Sequence, residues 1–415
     1  MRVRWWKHAI LTELLLLGVS SGWAQSKLLT VSLKPYGWMS QHDLSVQYPD
    51  PERQGWLMSG PPDGVAWRGV GEVALDAQGH VYVGLPIWAS GAAPKSAVRG
   101  TGDKLRVLVL NARGKGEVER TMDFPTQSLE RLDLRLAGDG ALLLVANDKL
   151  MRVGADGRPA AELALPDEEK KYEGWYLLSS TTGRTVRVRI NDQTSMLVDA
   201  QTLAVLKHCQ EPSYRDDTGV MTDDMELTTA EEGDQPHATY ELERQVYCGK
   251  RERLLSFGDT VFVPSLVDDT HFLAIARDKL ALRKFTGETV WSRRAPAGRS
   301  FQVEMAQDRL SRDGRRVAVR LLRAVVYQEP VNWDPSRTPG KIFQEVQFRR
   351  PGTRTVEIED SIAVWEVASG RLLAQVPVQN LEGDRKFKLN SSFALSPDGR
   401  LLAVLQDGLL VLWKV

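Results

Sequence analysis

The chain has little of what most enzymes and membrane proteins are built from. Among its 415 residues are six histidines and two cysteines. His8, His42, His80, His208, His237 and His271 are scattered, with no pair at ligand spacing, so no metal site is expected. The acidic stretch that includes Asp216, Asp217, Asp223, Asp224, Glu231 and Asp234 lacks the D-x-D-x-D-G order of a calcium loop and reads as a solvated edge. Gly69-Val-Gly-Glu-Val-Ala74 loosely matches a dinucleotide fingerprint. It opens a strand rather than a helix, however, and leaves no helix N-terminus for a pyrophosphate. No catalytic, cofactor-binding or metal-ligating residues are therefore assigned. Basic and acidic residues balance at 54 each, which gives no electrostatic reason to bind nucleic acid. No apolar run reaches the roughly twenty residues that span a bilayer, so no transmembrane segment is expected in the mature chain. Capped helical stripes are absent as well.

What the N-terminus does have is the pattern of an export signal. Arg2, Arg4 and Lys7 precede a short apolar core at residues 9–19, interrupted by Glu13, and Gly22-Trp23-Ala24 places small residues before Gln25. Residues 1–24 are read as a cleaved signal peptide and the mature chain as a secreted or periplasmic, soluble monomer. In an oxidising compartment an even cysteine count suggests one disulfide, Cys209–Cys248, with two buried thiols as the alternative. Closing that loop of about forty residues would stabilise the fold by roughly 3–4 kcal/mol.

The remainder, residues 25–415, alternates short apolar strands with turns. The turns recur as DAQG at 76–79, AGDG at 137–140, STTG at 180–183, SRDG at 311–314 and SPDG at 396–399. Centred near 77, 138, 181, 223, 268, 312 and 397, they keep a period of about 43 residues from 138 to 312, the length of a four-stranded propeller blade. A β-unit repeated in this way cannot bury its own face and must stack with its copies. The expected fold is all-β: a seven-bladed propeller of four-stranded antiparallel blades. Unit seven holds only three strands, and the segment 27–33 (KLLTVSL) supplies the fourth, closing the ring and covering an open sheet edge.

The stretches SIAVWEVASGRLLAQV (361–376) and FALSPDGRLLAVLQDGLLVLWKV (393–415) resemble the repeats of WD-repeat-like propellers, chiefly their exported bacterial relatives. The resemblance is clear over about residues 361–415 and implies that Trp365 and Trp413 occupy the third-strand tryptophan position. The chain departs from the full signature, since no Gly-His opens a repeat and each tryptophan is followed by Glu366 or Lys414 instead of Asp.

Three connections exceed the blade period: the crossover at 34–68, and insertions at about 84–103 in unit one and 323–359 in unit six. Alternating connectivity brings all three to one face, over blades six, seven and one. They carry Tyr36, Trp38, Trp56, Trp88, Tyr327, Trp333, Phe343, Arg349 and Arg350, the residue types that most often anchor interfaces on loops held by rigid scaffolds. This is the candidate binding face, for a protein, peptide or glycan; the alternative is that the loops pack on one another. The segment IFQEVQF and the strand after it alternate, which suggests a long hairpin projecting from blade six. A propeller enzyme with its site in the central channel, lactonase-like or quinone-dependent, is the competing class. The inner strands offer it only Glu72, Asp133, Arg135 and Asn390.

Overall fold

Antiparallel strands make up most of what the computed structural model describes. It describes residues 26–36, 72–87, 104–125, 134–166, 176–210, 225–257, 262–302, 310–328, 353–378 and 391–415, apart from positions 115, 147–148, 155, 181, 190–193, 233–238, 247–250 and 407. The first strand is β1 (Ser26–Ser32). Blade one is β2 (Glu72–Leu75), β3 (His80–Ile87), β4 (Lys104–Asn111) and β5 (Val118–Pro125). Blade two is β6 (Leu134–Leu136), β7 (Leu142–Ala146), β8 (Lys149–Val153) and β9 (Pro159–Ala164). Blade three is β10 (Tyr176–Ser179), β11 (Thr185–Arg189), β12 (Thr194–Asp199) and β13 (Val205–Gln210). Sheet four has β14 (Met225–Glu232), β15 (Thr239–Val246) and β16 (Arg251–Ser256). Blade five is β17 (Phe262–Leu266), β18 (His271–Ala276), β19 (Lys279–Lys284) and β20 (Thr289–Arg294). Blade six is β21 (Arg299–Phe301), β22 (Arg316–Gln328), β23 (Thr353–Glu366) and β24 (Arg371–Pro377). Blade seven is β25 (Ser392–Leu395), β26 (Leu401–Gln406) and β27 (Leu409–Lys414), completed by β1.

The architecture is an all-β propeller with four-stranded antiparallel blades, six of them complete among the described residues. Among the described residues the expected four-stranded unit four has three strands. Residues 257–261 separate β16 from β17, which lies against β14, and residues 211–224 before β14 lie outside the described residues. The turn expected near 223 lies outside the described residues; β14 begins at Met225, and β14 joins β15 across 233–238.

Apolar side chains alternate along each strand and meet those of the neighbouring sheet. Val73, Val81 and Leu110 of blade one pack with Leu405, Leu410 and Leu412 of blade seven. Continuous clusters likewise join one to two, two to three, four to five, five to six and six to seven. Among the described residues only the junction of blade three with sheet four has no such cluster. A fully buried Leu or Val contributes about 1.5–3 kcal/mol, so these six seams carry most of the ring's cohesion.

The repeated S-x-D-G motif forms a tight turn for a reason visible in both copies. Ser311 Oγ donates to Asp313 Oδ1 at 2.6 Å and accepts from Arg316 N, while Asp313 Oδ1 accepts from Arg315 N. Ser396, Asp398, Arg400 and Leu401 repeat the arrangement. The glycine then takes φ 70° at Gly314 and 68° at Gly399, a left-handed conformation that side chains disfavour. Burial pushes the Asp398 carboxyl up, but the Ser396 hydroxyl and Arg400 amide outweigh it and hold the group below its ordinary value.

Trp365 and Trp413 do lie on third strands, β23 and β27, and both are buried. Their register partners on the second strands are Val317 and Leu402, and neither indole N–H has an acceptor among the described residues. Trp291 on β20 differs: its Nε1 donates to Val367 O at 2.8 Å across the five–six seam. Replacing each tryptophan with Phe removes similar apolar area, but only Trp291→Phe strands a buried carbonyl. Thermal unfolding should show Trp291→Phe costing roughly 1–2 kcal/mol more than Trp413→Phe. Equal losses would mean that the hydrogen bond contributes nothing.

Candidate functional site

Strand alternation fixes where long connections can leave a blade. First-to-second and third-to-fourth turns share one end of the propeller; second-to-third loops and crossovers share the other. The blade-one insertion departs from the pair Ile87↔Lys104, so the loop runs over 88–103, shorter than the expected 84–103 because β3 continues three residues past Gly84. The blade-six insertion departs from Gln328↔Thr353. Against the expected span of 323–359, β22 and β23 are paired out to this point, so 323–328 and 353–359 are strand; IFQEVQF of the expected hairpin lies outside the described residues. Leu33 N donates to Gly408 O at 2.7 Å, setting the crossover start beside the second-to-third turn of blade seven. All three stems therefore emerge at one end, on blades six, seven and one, which share cores in that order.

The crossover stem is fixed by Arg106 on β4. Its guanidinium makes a two-pronged bond to Asp123, Nε to Oδ1 at 2.8 Å and Nη2 to Oδ2 at 2.9 Å, and Nη1 donates to Tyr36 O at 3.0 Å. The hydrogen bond to Asp123 raises the Arg106 pKa further above its ordinary value, so the charge is permanent. Tyr36 closes a short 3-10 turn, Lys34–Tyr36, and packs half-buried on the one–seven core.

The blade-six stem is more unusual. β21 stops pairing at Arg299↔Arg323 and β24 at Ser361↔Pro377, while β22 and β23 continue together for five further pairs, Ala324↔Glu357 to Gln328↔Thr353. This two-stranded ribbon rises about 17 Å beyond its neighbours. Among the described strands neither edge of it is paired. Its base is held by Arg299 Nε to Asp360 Oδ2 at 2.6 Å, Ser361 Oγ to Asp360 Oδ1 at 3.0 Å and Gln375 Nε2 to Ser361 Oγ at 3.0 Å.

Of the residues singled out from sequence, Tyr36 and Tyr327 are placed, the latter only as the backbone pair Tyr327↔Arg354. Trp38, Trp56, Trp88, Trp333, Phe343, Arg349 and Arg350 lie outside the described residues. For the channel alternative, Asp133 and Asn390 are also outside, and Arg135 is buried with Nη1 donating to Leu134 O. Among the described residues no group of three His, Cys, Asp or Glu side chains could hold a metal ion.

One polar cluster was not anticipated. Asp76, 4% exposed, accepts from His80 N and from His80 Nδ1, both at 2.7 Å, and from the Tyr82 hydroxyl at 3.3 Å. Burial first, then the Asp76 charge, pushes the Tyr82 phenol up to about 12. It sits on the turn end, opposite the long connections, and its bonds close the first turn of blade one. The sequence signal was the Asp76-x-x-x-His80 spacing around Gly79. Asp268 and His271 make a similar turn in blade five, with Asp268 accepting from Thr270 N and His271 N at 2.8 Å.

No protein-family model matches the chain. No curated protein matches it either. Among solved structures it is similar to the C-terminal WD40 domain of Sif2, at 10% identity and a TM-score of 0.49, over 83% of this chain and 96% of that one. The fold assignment rests on the strand pairing itself.

Proposed function

We propose that this chain is an exported, non-enzymatic binding propeller of the WD-repeat-like kind, with the three-stranded sheet as the seventh member of a closed ring. After loss of residues 1–24 the mature protein begins at Gln25 and works outside the cytoplasm. It captures a protein, peptide or glycan at the end bearing the long connections, over blades six, seven and one. The observation that carries this reading is the convergence of three long connections on adjacent blades, one of them raised as a ribbon. Seven rigid sheets would serve as the frame, and the connections would serve as the reader. Tyrosine, tryptophan and arginine on those connections supply large, partly polar contact area suited to interface anchors.

The test replaces Tyr327–Arg354 with Asn-Gly, a two-residue hairpin loop that fits between the paired Val326 and Thr355. The shortened protein is expected to fold with an unchanged unfolding midpoint. It should lose most of the partner that the mature full-length chain captures from its extracytoplasmic extract. Equal capture by a folded, shortened protein would remove the blade-six ribbon from the proposed site.

A further inference from the structure

The first-to-second turns of the blades gather at the end opposite the long connections. Neighbouring turns meet through backbone: Gly138 N donates to Gly183 O at 2.7 Å, linking blades two and three, and Asp313 N to Pro397 O at 3.3 Å, linking six and seven. Arg312 makes a longer reach. From the turn of blade six its guanidinium donates to Gly138 O at 3.1 Å, to Leu136 O at 3.2 Å and to Ala137 O at 3.3 Å, all on blade two. In the order of shared cores, seven and one stand between six and two. The side chain therefore crosses the axis of the propeller and does not bridge a seam.

The guanidinium also lies close to blade three. A Cβ added to Gly183 would meet Gly138 N at 2.6 Å and Arg312 Nη2 at 3.0 Å. A planar, permanently charged fork is suited to holding several carbonyls at once, which an ammonium on a flexible stem does less well.

We propose that Arg312 is a stopper: it closes the central channel at the turn end, leaving a blind cavity that ligands can enter only from the end bearing the long connections. This holds whether or not those connections capture a partner, because it concerns only which end is open.

Hydrogen exchange on the full chain tests it. Arg312→Ala is expected to speed exchange about tenfold at Ala137–Gly140 of blade two, with a smaller gain for Arg312→Lys. Arg315→Ala, whose side chain is 84% exposed three residues after Arg312, is expected to leave blade two unchanged. A gain confined to residues 311–316 overturns the proposal, as does a blade-two response to Arg315→Ala of the same size. A crystal structure of Arg312→Lys or Arg312→Ala is expected to show solvent between the turns of blades two and six. A mouth still filled by other side chains overturns the stopper role. Should Arg312→Ala fail to fold, the Arg312→Lys comparison decides alone.

Discussion

A protein beginning at Lys34, and so lacking β1, is expected to lose most of its soluble yield and to unfold far below the intact chain. β1 contributes a strand paired from Ser26↔Lys414 to Ser32↔Leu409, and it places Leu29 beside the buried Leu33 in the core shared by blades one and seven. Losing both leucines removes about 3–6 kcal/mol of apolar burial, against a total domain stability of roughly 5–15 kcal/mol. The loss also uncovers β27, whose residues Leu409–Trp413 are all buried in the intact fold. An apolar strand with an unpaired edge invites pairing with other chains, so aggregation should accompany instability. A synthetic peptide covering Ser26–Leu33, added in trans, should restore part of the unfolding midpoint. An unchanged midpoint in the truncated protein would mean that β1 is dispensable.

The second large effect is expected at the junction of blade three with sheet four, the one without an apolar cluster among the described residues. Val186 and Val188 serve the two–three core, so Arg187 between them faces the other way, and it is buried with Nε donating to Ser195 Oγ at 2.9 Å. Cys209 pairs in register with Ser195 and is 2% exposed; no free cysteine is present among the described residues. Cys248 lies outside them, two positions after β15 ends at Val246. We infer that a Cys209–Cys248 bond staples this junction, where apolar burial does not. Reducing agent, or Cys209→Ser, is expected to cost about 3–4 kcal/mol in the chain-entropy account. At about 2.1 cal/mol/K per residue that is a fall of roughly 4 °C in the unfolding midpoint. Peptide mapping without reductant should recover the two cysteine peptides joined. Recovery of both as free thiols, with a midpoint indifferent to reductant, would end the idea.

Much of the frame was legible because its determinants are local. The S-x-D-G turns close through bonds within five residues, so Ser311 and Ser396 announce their geometry without knowledge of the rest of the chain. The closing strand was legible for a different reason: a blade ending one strand short must find its missing edge elsewhere, and 27–33 was the nearest alternating segment. The count of strands in unit four was not legible. A period of about 43 residues led to the assumption of a fourth strand, whereas three are present among the described residues. Arg312 could not be read at all. Its partners lie on a turn 174 to 176 residues away, and an arginine in a turn carries no sign of what it will reach. The proposed binding end was legible as topology, since insertions and strand alternation fix it, but not as chemistry. Most of its aromatic residues lie outside the described part of the chain.

The pairing of the first strand with the last sets an order of events during synthesis. β1 leaves the ribosome before the other described strands, yet its partner, Leu409–Lys414, follows all of them. The edge of β1 therefore waits for Leu409–Lys414 to be made. Bringing together two strands separated by almost the whole chain carries the largest loop-closure entropy in the molecule. Folding should therefore end in a single late docking step, slow for a topology dominated by distant contacts.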